Sequence, residues 1–347
     1  MATSKSSVES KAPAFVHREG IGLQGTPITC DGPGLASDLV FIASAYALQA
    51  KDIAKLTKQA AGRRQILATQ ETLALLGRAG EAMRPRVLPS TFGMPFNLGD
   101  FRIELISSGY LPGAAALFVE GGGKSFLHVG RFCREVLWEA VIPAEIRKAG
   151  AVCLDASFAD PRIVFPPRRE VLEELRDFAR RAAEAEKPVV LFVSSMAPLD
   201  VLATTLAPLK VRAHGALLPF LDRLSALSAH PPRVVRYAEK VAPGEVLLWP
   251  LEEWDSPRLD AFPTKVTAWV SGHAADPMRL SRPVADRAFP VSNQSSHAEL
   301  IRFILETGCG EVALYNGYAE TFAEALRGQG LAAYVLESPR QMNLLDP

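Results

Sequence analysis

The pattern of apolar and polar positions in the first part of the chain predicts several short strands. Residues 39–42 are four consecutive apolar side chains that end in a polar stretch, which is typical of a buried strand followed by a loop. Polar and apolar residues alternate over 101–106, and residues 115–120 and 125–129 flank a glycine-rich turn as the two strands of a hairpin. The first part of the chain is therefore predicted to be rich in strands.

Strands and helices alternate through the middle of the chain. Residues 168–186 have the periodicity of an amphipathic helix. Strand-like segments follow at 188–193, 233–237, 245–249 and 265–270. Such alternation predicts a parallel sheet covered by helices.

The last part of the chain predicts a helix, a strand and a second helix. Residues 297–307 form the first helix, and Gly308 closes it because glycine readily adopts the left-handed conformation found at helix ends. A strand over 312–315 and a helix over 318–327 follow.

Composition limits the classes of function. The 347 residues are enough for two domains, and Lys plus Arg number 38, as do Asp plus Glu, so the net charge is zero. Charge therefore gives no argument for nucleic-acid binding by the protein as a whole, although a local basic groove stays open. The arginines that could form it are Arg168, Arg169, Arg180, Arg181, Arg212, Arg233 and Arg236.

Isolated cysteines and a polar beginning of the chain predict a cytoplasmic protein. Cys30, Cys133, Cys153 and Cys309 lie in apolar surroundings without a CxxC pair, which is typical of buried thiols in a reducing compartment. Residues 1–11 are polar, and no apolar run approaches the length of a membrane span. We expect no membrane partner.

Two strand-and-loop segments in the first part resemble metal-binding segments of a known fold. Asp31 closes a strand, as does the aspartate that supports the metal site of the metallo-β-lactamase fold. In that fold a loop after the next strand carries a His-x-His-x-Asp-His motif. The residues at the same place here are Ser44, Tyr46, Leu48 and Gln49. None of them supplies the imidazole or carboxylate ligand that zinc needs at these positions.

Later segments resemble the same fold in the same order. Tyr110 stands where "SLHPAGHVLGSAQ" has its metal-binding His, and Arg131 stands where "VSGDY" has its bridging Asp. Asp155 keeps the acidic character of "TESTFG". Gln294 replaces the His of "FVLSDHAD", and Asn316 replaces the His of "VTHGY". From about residue 20 to about residue 337, the chain resembles the β-CASP branch of this fold, and best the bacterial DNA ligase-associated exonucleases.

The resemblance implies an α/β protein with a specific architecture. It would be a four-layer αββα metallo-β-lactamase sandwich with an inserted β-CASP-like α/β cap domain. The sandwich would be discontinuous, formed by residues 14–165 and 286–338, and the cap would occupy residues 166–285. Residues 1–13 would be a disordered tail, and residues 339–347 a C-terminal tail.

The residues themselves argue against a standard di-zinc site. A two-metal centre needs several converging ligands, whereas the six histidines are scattered without a His-x-His pair. Arg131 would repel a neighbouring dication by several kcal/mol even at an effective dielectric of about 20. We therefore expect no cofactor and assign no catalytic residue, unless zinc or manganese occupies a site rebuilt from His297 with Asp31 and Asp155. Arg131 bonded to Asp155 or Asp31 would instead indicate a plugged site.

The leading hypothesis is a catalytically degenerate homologue that acts as a structural or recognition subunit in DNA repair or RNA processing. Its partner would be an active nuclease, ligase or helicase. One alternative is a metal-dependent nuclease or phosphoesterase with a remodelled metal site, and another is a small-anion binder that uses the vacated pocket. A further candidate partner is the bacterial sliding clamp, because its short peptide ligands resemble the segment with Gln341, Met342, Leu344 and Leu345.

Overall fold

The computed structural model describes residues 12–34, 36–58, 64–135, 139–194, 198–207, 209–238, 241–279 and 285–336. Within these ranges the chain forms three sheets with helices packed against them, so the predicted α/β class is confirmed. Residues 1–11 of the predicted N-terminal tail and the whole predicted C-terminal tail, with its clamp-like segment, lie outside the described residues.

The first sheet has six strands that lie side by side in chain order. They are β1 (Phe15–His17), β2 (Ile21–Leu23), β3 (Ile28–Cys30), β4 (Leu39–Phe41), β5 (Gln65–Leu67) and β6 (Val87–Leu88). The pairs β1–β2 and β2–β3 are antiparallel, and the remaining pairs are parallel. The strand β4 is the apolar run predicted from the sequence.

The second sheet has seven described strands. They are β7 (Phe96–Leu98), β8 (Phe101–Ser107), β9 (Ala115–Gly121), β10 (Lys124–Gly130), β11 (Ala151–Asp155), β18 (Glu311–Tyr315) and β19 (Ala332–Val335). The strands β7 to β10 form an antiparallel meander that includes the predicted hairpin, and β11, β18 and β19 extend it in parallel. The carboxyl ends of β10, β11 and β18 therefore lie at one edge.

The first two sheets pack face to face over a shared apolar core. Alternation along β4 places Leu39 and Phe41 in this core, whereas Val40 and Ile42 point to the opposite face. Because both faces of β4 are covered, its sequence reads as a continuous apolar run. The four cysteines are free and buried, as predicted.

Helices cover the outer faces of these two sheets. They are α1 (Ala50–Lys58), α2 (Gln70–Leu76) and α3 (Arg78–Met83) on the first sheet, and α7 (His297–Thr307) and α8 (Ala319–Gly328) on the second. The bounds of α7 and α8 agree with the prediction within one residue. Gly308 closes α7 with a φ of 66°, and the Thr69 hydroxyl accepts the Thr72 N–H at 3.1 Å to cap α2.

The third sheet is entirely parallel and has the order β14-β13-β15-β12-β16-β17. Its strands are β12 (Val189–Val193), β13 (Val211–Ala213), β14 (Val234–Arg236), β15 (Val246–Pro250), β16 (Val266–Val270) and β17 (Arg287–Phe289). The helices α4 (Arg168–Glu184), α5 (Leu199–Thr205) and α6 (Leu218–Ser225) pack on one face. The strand β17 belongs to this sheet but lies just beyond residue 285, where the cap domain was predicted to end. The limits of the two domains stay a prediction.

Short 3₁₀ helices complete the described structure at Arg84–Arg86, Leu251–Glu253, Pro257–Ala261 and Gly272–Ala275. None of the described helices combines the length and the apolar character needed to cross a bilayer.

Candidate functional site

A cleft of about 630 Å³ opens where strands of the first two sheets end. Because β3 and β4 are parallel to each other, as are β10, β11 and β18, the residues at their carboxyl ends meet there. The cleft brings together eight of the ten site positions predicted from the sequence. They are Asp31, Ser44, Tyr46, Leu48, Gln49, Arg131, Asp155 and Asn316.

Asp155 is a buried carboxylate that is compensated from three directions. The Arg131 Nε lies 3.2 Å from its Oδ2, which is an ion pair but not a well-directed hydrogen bond. Asn316 Nδ2 donates to the same oxygen at 2.8 Å, and the Ser157 N–H donates to Oδ1 at 2.8 Å. Burial lowers the pKa of Arg131, but the neighbouring Tyr110 and Asp155 raise it more, so its net shift is upward. The pairing of Arg131 with Asp155 is the one predicted for a plugged site.

Asp31 is compensated separately, from beneath the cleft. Its Oδ1 accepts the Ala43 N–H at 2.8 Å, and its Oδ2 lies 2.7 Å from the His128 Nε2. His128 is fully buried in β10 and does not itself line the cleft. A bulge between His128 and Gly130 shifts the register against β11. His128 and Arg131 are only three residues apart in the chain. Because of the bulge, both side chains reach cleft aspartates, His128 contacting Asp31 and Arg131 contacting Asp155.

The backbone around the cleft is strained. In the described part of the chain, four residues other than glycine have a clearly positive φ, and Glu19, Asp31 and Asn316 of these line the cleft. Such conformations cost about 1–3 kcal/mol each and tend to cluster at functional sites. Gly130 also has a φ of 67°, and a Cβ at this position would lie 3.3 Å from the Tyr315 hydroxyl. The strain points to this cleft as the functional site.

A small apolar cluster connects the cleft with the third sheet. We call it the bridging cluster; it contains Tyr46, Tyr110, Leu111, Ala114 and Phe220. The ring of Tyr46 packs against the ring of Phe220 of α6, with centroids 4.9 Å apart. Arg131 contacts the cluster twice, because its Nη1 donates to the Tyr46 carbonyl at 3.2 Å and its guanidinium carbon lies 5.7 Å from the Tyr110 ring centre.

The other two of the ten predicted positions, and the candidate rebuilt ligand His297, lie outside the cleft. Tyr110 is buried behind Arg131, and burial raises its pKa. Gln294 lines a second pocket of about 340 Å³, together with Arg168 and other residues, because the Ser292 hydroxyl holds the backbone of Gln294 in a tight turn there. The Nδ1 of His297 lies 2.8 Å from the carbonyl oxygen of Ala159. His297 is therefore not brought to Asp31 and Asp155.

The cleft side chains do not fit the two-metal centre that the resemblance implies. In the described ranges, no group of three or more His, Cys, Asp or Glu side chains is placed to hold a metal ion. Both cleft aspartates at the predicted positions are engaged, Asp155 by Arg131 and Asp31 by His128. A bound dication would have to displace the Arg131 cation from Asp155 first.

Sequence reasoning missed several residues of the cleft. Tyr315 stacks on His128 with ring centroids 6.3 Å apart, and burial raises the Tyr315 pKa well above its usual value. Glu19, Lys51 and Lys55 also line the cleft, and Lys55 Nζ lies 3.8 Å from Glu19 Oε1. Tyr315 could have been predicted as a cleft residue because it directly precedes Asn316 in the chain. The lysines lie on α1, a nine-residue helix that was not among the predicted elements and that has Leu56 as its buried residue.

The chain has a distant similarity to a known protein. No protein-family model matches the chain. A protein named "Probable DNA ligase" from Opitutus terrae (strain DSM 11246 / JCM 15787 / PB90-1) is 27% identical over 285 residues. The match covers 81% of this chain and 28% of that protein. The chain thus spans less than a third of the length of this relative.

Proposed function

We propose that this chain is a catalytically degenerate protein of the metallo-β-lactamase fold, β-CASP branch, that serves as a structural or recognition subunit in nucleic-acid processing. Two sheets packed face to face with helices on both outer faces support the sandwich assignment. The separate parallel sheet, inserted between β11 and β18, supports the cap assignment. The order of the segments along the chain agrees with both.

The observation that carries this proposal is the pairing of Arg131 with Asp155. In the family pattern, the position of Arg131 belongs to an acidic residue that bridges two metals. Here a cation stands 3.2 Å from Asp155, one of the two retained carboxylates. Opposite charge in a buried site compensates the carboxylate, as a metal ion would otherwise do. The site then keeps its shape without metal chemistry.

We propose a DNA ligase as the active partner. The match to the "Probable DNA ligase" covers most of this chain but a minor part of that protein. That protein therefore holds a region like this chain in one polypeptide with other regions. An active nuclease or helicase, and the sliding clamp through residues 341–345, are the other candidate partners, and the cytoplasm is the proposed location.

The two alternatives have less support. A remodelled metal enzyme needs His297 near Asp31 and Asp155, but its Nδ1 contacts the Ala159 carbonyl. A small-anion binder needs an Arg131 that is free to meet the anion, but Asp155 and the Tyr46 carbonyl hold it.

The first test is metal content. The full chain, purified without a His tag from medium supplemented with zinc and manganese, should contain metal at background by inductively coupled plasma mass spectrometry. It should not cleave single- or double-stranded DNA or RNA. Near-stoichiometric metal, with cleavage that Asp31→Asn or Asp155→Asn abolishes, would overturn the proposal.

The second test addresses the partner. A DNA ligase encoded by the same genome should co-elute with the full chain in size-exclusion chromatography, and its nick-sealing rate should change when the chain is added. Bovine albumin at the same concentration is the control. A ligase that neither binds the chain nor changes its nick-sealing rate would refute this partner. The proposal of a degenerate metal site would then still depend on the metal-content test alone.

A further inference from the structure

The contacts of Arg131 form a continuous path between the cleft and the third sheet. The path runs from Asp155 to Arg131 at 3.2 Å, from Arg131 to the Tyr46 carbonyl at 3.2 Å, and from the Tyr46 ring to Phe220 of α6. The Tyr110 ring lies beside Arg131 and belongs to the same bridging cluster as Phe220. One guanidinium therefore touches the buried carboxylate and one of the apolar contacts of α6.

We propose that Arg131 is a positioning residue that couples the seating of α6 to the neutralisation of Asp155. While α6 is seated, the Tyr46 ring is fixed against Phe220 and its carbonyl is held in place for Arg131. When α6 moves away, Tyr46 loses its ring contact with Phe220, and the hydrogen bond from the Arg131 Nη1 to the Tyr46 carbonyl loosens. The contact of Arg131 with Asp155 then weakens.

The geometry makes the link sensitive to small movements. N–H···O hydrogen bonds in proteins measure about 2.7–3.2 Å, and the bond from Arg131 to Tyr46, at 3.2 Å, is already at the long end of this range. Asp155 has a side chain that is 1% exposed, so water does not replace a lost cation easily. Coupling between two sites is reciprocal. A change at Asp155 must therefore loosen α6, just as a change at Phe220 must loosen Arg131.

Amide hydrogen exchange of the full chain, read by mass spectrometry, tests this coupling from the cleft side. Asp155→Asn is nearly isosteric and removes the charge that holds Arg131. We expect it to speed exchange in α6 (Leu218–Ser225) by roughly fivefold or more, the lower end of typical couplings between linked sites. A purely local role for Asp155 would change exchange only in its own peptide and in those of Arg131 and Asn316, and that result would overturn the proposal.

Exchange after a change in α6 tests the reverse direction. Phe220→Leu should speed exchange over residues 44–49. The matched control is Phe178→Leu. Phe178 lies on α4, is also half-buried against the third sheet, and its ring centroid lies 5.6 Å from that of Phe289. The control should leave residues 44–49 unchanged. Equal effects of the two variants would mean general loosening and would refute the coupling.

A side-chain signal gives an independent measurement. In protein labelled with ¹⁵N-arginine, the Nε–H resonance of Arg131 is identified by its loss in Arg131→Gln. We expect Phe220→Leu to shift or broaden this resonance and Phe178→Leu to leave it in place. An unchanged resonance in Phe220→Leu would contradict the proposal. None of these measurements requires nucleic acid or a partner, so their outcome is separate from that of the proposed function.

Discussion

Replacing Arg131 with methionine should lower the free energy of unfolding by about 3 kcal/mol. The Asp155 and Arg131 side chains are 1% and 18% exposed, and their charged atoms are 3.2 Å apart. At that distance and an effective dielectric of about 20, the gross attraction is roughly 5 kcal/mol. Removing one partner of a buried pair typically costs about 3–5 kcal/mol. The lower end applies because Asn316 and Ser157 still donate to the carboxylate.

The double variant Arg131→Met with Asp155→Asn separates charge from shape. With both charges gone, no uncompensated carboxylate stays buried, and Asn316 and Ser157 can still donate to the amide oxygen. We expect the double variant to recover most of the loss and to lie within about 1 kcal/mol of the parent. The coupling energy from the double-mutant cycle should then be at least about 2 kcal/mol, because the cost of the Asp155→Asn single variant adds to it.

Urea unfolding followed by far-ultraviolet circular dichroism measures all four proteins. An Arg131→Met variant within about 0.5 kcal/mol of the parent, a value ordinary for surface substitutions, would mean that the pair contributes little. A double variant as unstable as the sum of the two single variants would show that the two charges do not interact. Either result would refute the account of Arg131 as the counter-charge of Asp155.

Three further predictions concern other parts of the chain. Arg147→Met should lower the free energy of unfolding, measured in urea, by about 3 kcal/mol, because it leaves the buried Glu104 without its two hydrogen bonds of 2.8 and 2.9 Å. Adding Glu104→Gln to this variant should restore most of the lost stability. Hydrogen bonds from Arg212 and Lys210 lower the pKa of Glu245 from 4.5 to about 2. Its contribution to stability is therefore present above about pH 4.5 and lost as the pH falls through about 2, and Glu245→Gln should flatten the acid side of a melting-temperature profile. Gly130→Ala should lower the free energy of unfolding by about 1–3 kcal/mol, and with it the melting temperature, because alanine is strained at a φ of 67°. An unchanged melting temperature would contradict this strain.

The sequence predicts the elements that carry strong local signals. The helix α7 is predicted with its correct bounds, because a regular apolar face lies between Ser296, which caps it with Glu299, and Gly308. The run at 39–42 is predicted as a strand because both of its faces are buried. The three-residue strands β1 and β2 escape prediction, since so few residues show no periodicity.

The cleft is predicted in part for equally physical reasons. Asp31, Asp155 and Asn316 each follow or end a strand, so the sheet edge brings them together. The contact between His128 and Asp31 was not predicted, because a bulge interrupts the alternation on which sequence reasoning depends. Gln294 lies elsewhere because hydrogen bonds within its own turn set its backbone.

The pairing of β11 with β18 has a consequence for biosynthesis. Ala151 pairs with Glu311 although the two residues are about 160 positions apart, and the whole third sheet lies between them in the chain. The segments of the third sheet therefore leave the ribosome before β18, α7 and α8. Until those elements arrive, β11 is an unpaired edge and the outer face of the second sheet is bare. Bare apolar edges promote aggregation. Synthesis of α7, β18 and α8 is thus the step that covers this edge and this face.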